Sequence, residues 1–198
     1  MKVKETFVSF IGQINVGRMA FFIDTDKSGV ETEVDTLINQ AKHFPRVVLL
    51  NDPINQKEET NKFVKKLVNI NPHVLIEVNT YGLSRPQGLN TYKNIVYNVI
   101  VQLKNTGKTQ RERYNKSVLE WFNEAEANFL FYIETEDCID EVNLIVTDIG
   151  IKRHKVFLAV EGESTKEMLE LVMNGAKTYN YNFSIDYRRT LWPDVGRF

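Results

Sequence analysis

The chain has 198 residues, 42% of them hydrophobic, with a formal net charge of −1 and one cysteine. That length suits a single domain over 1–198 with a sizeable core, and the balanced charge excludes a general pull toward nucleic acid or anionic membrane. A lone cysteine excludes a disulfide framework and suits a reducing cytoplasm, and no stretch reads as a signal peptide or a membrane span.

In chain order, apolar runs predict strands over 7–11 and 19–23, then an amphipathic helix over 31–43. Ser28-x-x-Glu31 has capping-box spacing for the start of that helix. A strand over 47–50 precedes a helix over 57–69, where Phe63, Val64, Leu67 and Val68 recur at helical spacing opposite lysines. Strands over 74–78 and 96–101 follow, then a helix over 116–122, a strand over 129–133 and a helix over 139–148. Cys138, beside Ile139 at that helix start, reads as a packing residue. A strand over 156–160, a helix over 165–173 introduced by Ser164-x-x-Glu167, and a strand over 182–185 complete the pattern. Continuous Val, Ile and Phe runs suit strands buried on both faces of a parallel sheet, and the alternation implies right-handed crossovers. The fold class is α/β. His43, His73 and His154 fall at element boundaries without metal-ligand spacing.

Active residues in such folds collect at the carboxyl ends of the strands. Those ends present Asp24, Thr25 and Asp26; Asn51 and Asp52; Glu77 and Asn79; Gln102 and Lys104; and Glu161, an acid-leaning rim. Asp24-x-Asp26-x-Ser28-Gly29…Asp35 has the oxygen spacing and central glycine of a calcium loop. It is also similar to the Asp-x-Asp-x-Thr nucleophile motif of haloacid-dehalogenase-type phosphatases. The plain alternative is an Asp/Ser/Gly turn that caps a helix. Glu77 and Asn79 suit either a small polar ligand, such as a nucleobase edge or an amine, or hydrogen bonds to loop backbone. Two basic stretches also stand out. Lys104, Lys108, Arg111, Arg113 and Lys116 surround Tyr114, and Arg188, Arg189 and Arg197 accompany Tyr187, Trp192 and Phe198. Arginine among aromatics suits nucleic acid or a protein interface. The first stretch reads as a solvated loop. The second reads as a docking segment, onto the chain itself or across a homodimer, with Tyr187, Arg189, Trp192 and Phe198 as its interface residues.

The junction of Gly17-Arg18-Met19-Ala20-Phe21-Phe22-Ile23 with Asp24-Thr25-Asp26-Lys27-Ser28-Gly29 carries a family resemblance. With Ser9 to Gln13, Val47 to Pro53, Ile76 to Thr80, Leu103 to Gly107 and Asn182 to Trp192, it resembles radical S-adenosylmethionine enzymes, specifically 7-carboxy-7-deazaguanine synthases of the queuosine pathway. In that family such a strand enters a three-cysteine loop ending Cys-Asp-Thr. Here Asp24-Thr25 follows the strand directly, as though the loop were excised. The resemblance implies a partial, open, TIM-like β/α barrel with a mostly parallel sheet. It implies pocket remnants at Gln13, Arg18, Thr25, Glu77, Asn79 and Arg188, the last standing where a histidine is expected. Thr25 corresponds to a magnesium-contacting threonine. The family's cluster cysteines, Gly-Gly-Glu, Ser-Pro-Lys and Met-Pro are missing, while its strand cores fit. An iron–sulfur cluster needs thiolates, so the resemblance implies a pseudoenzyme without a 4Fe-4S cluster or a use for S-adenosylmethionine. A binding or regulatory role with a protein partner is the first expectation. A divalent-ion enzyme using Asp24 and Asp26 with magnesium or calcium is the second, and a purine-like small-molecule binder the third.

Overall fold

The computed structural model describes residues 1–11, 14, 17–160 and 165–185. Nine strands form one sheet: β1 (Lys2–Phe10), β2 (Met19–Thr25), β3 (Val30–Glu31), β4 (Arg46–Leu50), β5 (Leu75–Thr80), β6 (Ile95–Ile100), β7 (Asn128–Tyr132), β8 (Val156–Ala159) and β9 (Asn182–Ser184). Their order is β3-β1-β2-β4-β5-β6-β7-β8-β9. From β2 through β9 every neighbouring pair is parallel, while β1 runs antiparallel to both β2 and β3. The helices are α1 (Val34–Ala41), α2 (Lys57–Ile70), α3 (Gln110–Arg113), α4 (Lys116–Glu124), α5 (Glu136–Ile149) and α6 (Lys166–Tyr179). No described helix is long and apolar enough to cross a membrane.

The parallel strands, β2 and β4 to β9, follow one another in sequence order, so right-handed crossovers carry the helices between them to the same face of the sheet. The core confirms this. Phe21, Ile23, Val47, Leu49, Ile76, Val78, Val99, Phe129, Phe131 and Leu158 alternate along the strands toward the helices. They pack there with Leu37, Phe63, Leu67, Leu119, Phe122, Val142 and Val172. Residues of opposite parity line a second face, on which no described helix packs. There Ala20, Phe22 and Val48 pack with Ile11, and Leu130 and Ala159 pack with Ile14, so these two residues between β1 and β2 lie over this face. The strands are thus apolar on both sides, as their unbroken Val/Ile/Phe runs predict, but two different kinds of cover bury them.

One expectation is corrected. The helix predicted from residue 31 begins at Val34, with Glu33 at its N-cap. Ser28 and Glu31 form no capping box: both Ser28 N–H and Ser28 Oγ donate to Asp26 Oδ1, each at 2.8 Å, and Glu31 lies in β3. An Asx turn has therefore taken the polar residues that the spacing assigned to a cap. Ser164 lies outside the described residues; α6 is capped by Thr165, whose Oγ1 accepts from Met168 N–H at 3.3 Å. The β5–β6 crossover, residues 81–94, makes its parallel connection without a helix, and none was expected there. Asn61 on α2 donates to Gln87 O at 2.8 Å and holds this segment down.

Gly29 has a packing reason that the calcium-loop spacing did not contain. A Cβ there would sit 2.5 Å from the Val3 carbonyl carbon and 2.7 Å from its oxygen, so only glycine lets the turn close onto β1. Gly29→Ala is expected to lower stability by about 1–3 kcal/mol, because backbone rather than a flexible side chain must move. Urea unfolding would measure it, and an unchanged midpoint would mean that β3 shifts freely.

Candidate functional site

The second face of the sheet carries a polar relay across four strands. Arg46 on β4 forms a buried ion pair with Glu77 on β5, through its NH1 and Glu77 Oε1. Asn98 on β6 donates to Glu77 Oε2 and to Asn79 Oδ1, both at 3.0 Å. Asn128 on β7 donates to Asn98 Oδ1 at 3.0 Å. Asn79, Asn98 and Asn128 stand in register on adjacent strands, so the ladder follows directly from the parallel pairing. Glu77 is 1% exposed and Arg46 9%. A charge pair this deep needs both the ion pair and the amide to be tolerated. Glu77 is therefore the third residue of β5 rather than a strand-end group, and Asn79, half-buried, is its neighbour on the same face. Of this relay the sequence singled out Glu77 and Asn79. Arg46, Asn98 and Asn128 were missed, although a lone asparagine inside Ile95–Ile100 was a visible signal.

The rim lies one step further along the strands. Asp24 and Thr25 end β2 and are both buried. Asn51 Nδ2 donates to Asp24 Oδ1, and Thr25 Oγ1 donates to Leu50 O at 2.6 Å. After β4 the chain turns through Asn51 (φ 58°) and Asp52 (φ 61°), both left-handed, before Pro53. Asparagine and aspartate tolerate this conformation when their side chains bond locally. Asp52 accepts from Thr80 Oγ1 and, at 2.7 Å, from Asn55 Nδ2. The turn for which the resembled family uses glycines is thus built here from two polar residues locked by hydrogen bonds.

The carboxylates of the suggested calcium loop go separate ways. Asp24 is held by Asn51, Asp26 by Ser28, and Asp35 pairs with Lys66 at 2.6 Å. Ser28 N–H and hydroxyl, in that order of effect, keep the Asp26 carboxyl below its usual range, and Lys66 does the same for Asp35. Among the described residues no three His, Cys, Asp or Glu side chains come together to hold a metal ion.

A cavity of about 260 Å³ opens at the carboxyl ends of β4–β7. Asn51, Tyr81, Gln102, Asn105, Thr106 and Tyr132 supply its polar groups, with Ile100, Val101 and Leu103 as apolar lining. Among the described residues the rim expected to lean acidic brings no carboxylate to this cavity, because Asp24 and Asp52 are buried behind their own partners. Arg18 is exposed and lies at the opposite end of β2 from Thr25, so it is not brought to this cavity.

The first basic stretch is not a uniformly solvated loop. Arg113 is 5% exposed and ion-paired with Glu141 on α5, which also accepts from Lys104 N–H at 2.9 Å. Lys116 pairs with Asp148 at 2.6 Å and Lys108 Nζ donates to Gln102 Oε1 at 2.9 Å. A capping box joins Thr109 and Glu112. The stretch is a clamp onto α5, a role that its charge density alone did not distinguish from solvation. Gln13, Glu161, Tyr187, Arg188, Arg189, Trp192, Arg197 and Phe198 lie outside the described residues.

Cys138 is 4% exposed on α5, with Thr135 Oγ1 3.4 Å from its sulfur. The end of β2 offers a carboxylate and a hydroxyl instead of thiols. Three thiolates are needed to hold a 4Fe-4S cluster of the family's kind, and this donor set does not fit one. The chain is a mixed α/β protein with a mostly parallel sheet. Compared with known proteins, it matches no family model and no curated protein.

Proposed function

We propose that this chain is a pseudoenzyme on a radical-S-adenosylmethionine-like scaffold, similar to 7-carboxy-7-deazaguanine synthase. It acts as a binding or regulatory protein whose first candidate partner is another protein or a second copy of itself. The observation that carries this reading is the sealed end of β2. Where a cluster loop would open, Asp24 and Thr25 are buried and held by Asn51 and Leu50, and the only thiol lies elsewhere, on α5. The scaffold assignment, a partial open barrel, is supported by the sequential parallel strand order with helices on one face. It is further supported by the β1–β2 connection. Ile11 packs beside β2 and β4, and Ile14, three residues on, packs against β6, β7 and β8. Three residues span about 10 Å, so a sheet that curls around the connection suits this reach better than a flat one.

The test is anaerobic reconstitution with iron and sulfide, followed by S-adenosylmethionine and a strong reductant. The expected outcome is neither a brown chromophore nor 5′-deoxyadenosine; reductive cleavage would overturn the reading. Affinity capture with the full chain, alongside light scattering for a homodimer, addresses the partner. The cavity at the strand ends favours a second reading, a small-molecule binder.

A further inference from the structure

Two amides that line the rim cavity have their orientation fixed from behind by charged groups. Lys108 Nζ donates to Gln102 Oε1 at 2.9 Å, and an ammonium has no acceptor, so the Gln102 oxygen must face the lysine. Gln102 Nε2 then remains as a donor on a residue that lines the cavity. At Asn51 the situation is reversed. Its Nδ2 donates to Asp24 Oδ1, so Asn51 Oδ1 remains as the acceptor. Both residues line the same cavity, so it offers one fixed donor and one fixed acceptor.

The remaining lining narrows the class of ligand. Among the described residues no Asp, Glu, His, Lys or Arg lines the cavity; Tyr81 and Tyr132 add aromatic surface, and Ile100, Val101 and Leu103 add aliphatic surface. A charged ligand would lose hydration there without a counter-charge. At about 260 Å³ the space falls just below the range that holds drug-sized molecules. We propose that this cavity binds a compact neutral ring with an N–H donor beside a C=O acceptor, that is, a cyclic amide or imide of pyrimidine size. The ring N–H donates to Asn51 Oδ1 and the ring carbonyl accepts from Gln102 Nε2. This site is separate from the Arg46–Glu77 relay, and it rests on the cavity rather than on the scaffold's ancestry.

Uracil is the probe, and 1,3-dimethyluracil, with both ring N–H groups methylated, is its control. Each is titrated into the full chain and followed by saturation-transfer NMR and calorimetry. Saturable binding of uracil alone is expected. Gln102→Leu should weaken it about tenfold or more, since one buried partner is left unpaired. Lys108→Met, outside the lining, should weaken it less. Asn51→Gly retains the left-handed turn while removing the amide, and gives an independent variant if Gln102→Leu lowers the thermal midpoint. No saturable uracil binding in the millimolar range would overturn the proposal. So would equal binding of dimethyluracil, or uracil binding indifferent to both amide substitutions.

Discussion

Glu77→Ala is expected to destabilise the protein by about 3–5 kcal/mol, because it strands the Arg46 guanidinium without a counter-ion. Arg46 is 9% exposed, and Glu77 is its ion-pair partner. Asn98 would also lose one acceptor, Glu77 Oε2, while keeping Asn79 Oδ1. The double variant Arg46→Met/Glu77→Leu should recover most of the loss, since removing both charges also removes their desolvation cost. Urea unfolding of wild type, both single variants and the double variant gives the coupling directly. A cost below about 1 kcal/mol for Glu77→Ala would place the pair in contact with water, in the range of surface ion pairs.

Phe122→Ala should cost about 3–5 kcal/mol, as expected for a fully buried ring whose loss leaves a cavity. Phe122 lies on α4 at 0% exposure, edge-on to Tyr97 at 5.4 Å and to Trp121 at 5.1 Å between ring centroids. Its neighbour Tyr97 should respond in the opposite direction. Among the described residues the Tyr97 hydroxyl has no hydrogen-bond partner, and burial pushes its pKa up. Tyr97→Phe therefore removes a desolvated polar group while retaining the ring, and is expected to be neutral or stabilising by about 1 kcal/mol. Thermal unfolding of the two variants checks both signs. A marked loss in Tyr97→Phe would reveal a partner for the hydroxyl.

The elements were largely legible because their signals are local. Apolar runs at 19–23 and 47–50 fall in strands, those at 129–133 and 156–160 overrun theirs by one residue, and the periodic stretch around Phe63 and Leu67 is helical. Where a local signal has two physical outlets the sequence misled, as at Ser28 and Glu31. The same polar spacing serves a cap or an Asx turn, and the two-residue β3 has no period to read. Gly29 shows the same ambiguity, since the approach of Val3 that requires it is 26 residues away in sequence.

The α/β class, the lack of thiols for a cluster and the near-balanced charge of −1 could be read from the chain alone, because composition and short-range periodicity depend on neighbours along it. What the polar residues do depends on the folded arrangement. Arg46, Glu77, Asn98 and Asn128 are about 20–30 residues apart and meet only because parallel register stacks them on one face. The same register left no described carboxylate in the rim cavity. A buried carboxylate must be met by donors, and the donors that met Asp24 and Asp52 came from other strand ends.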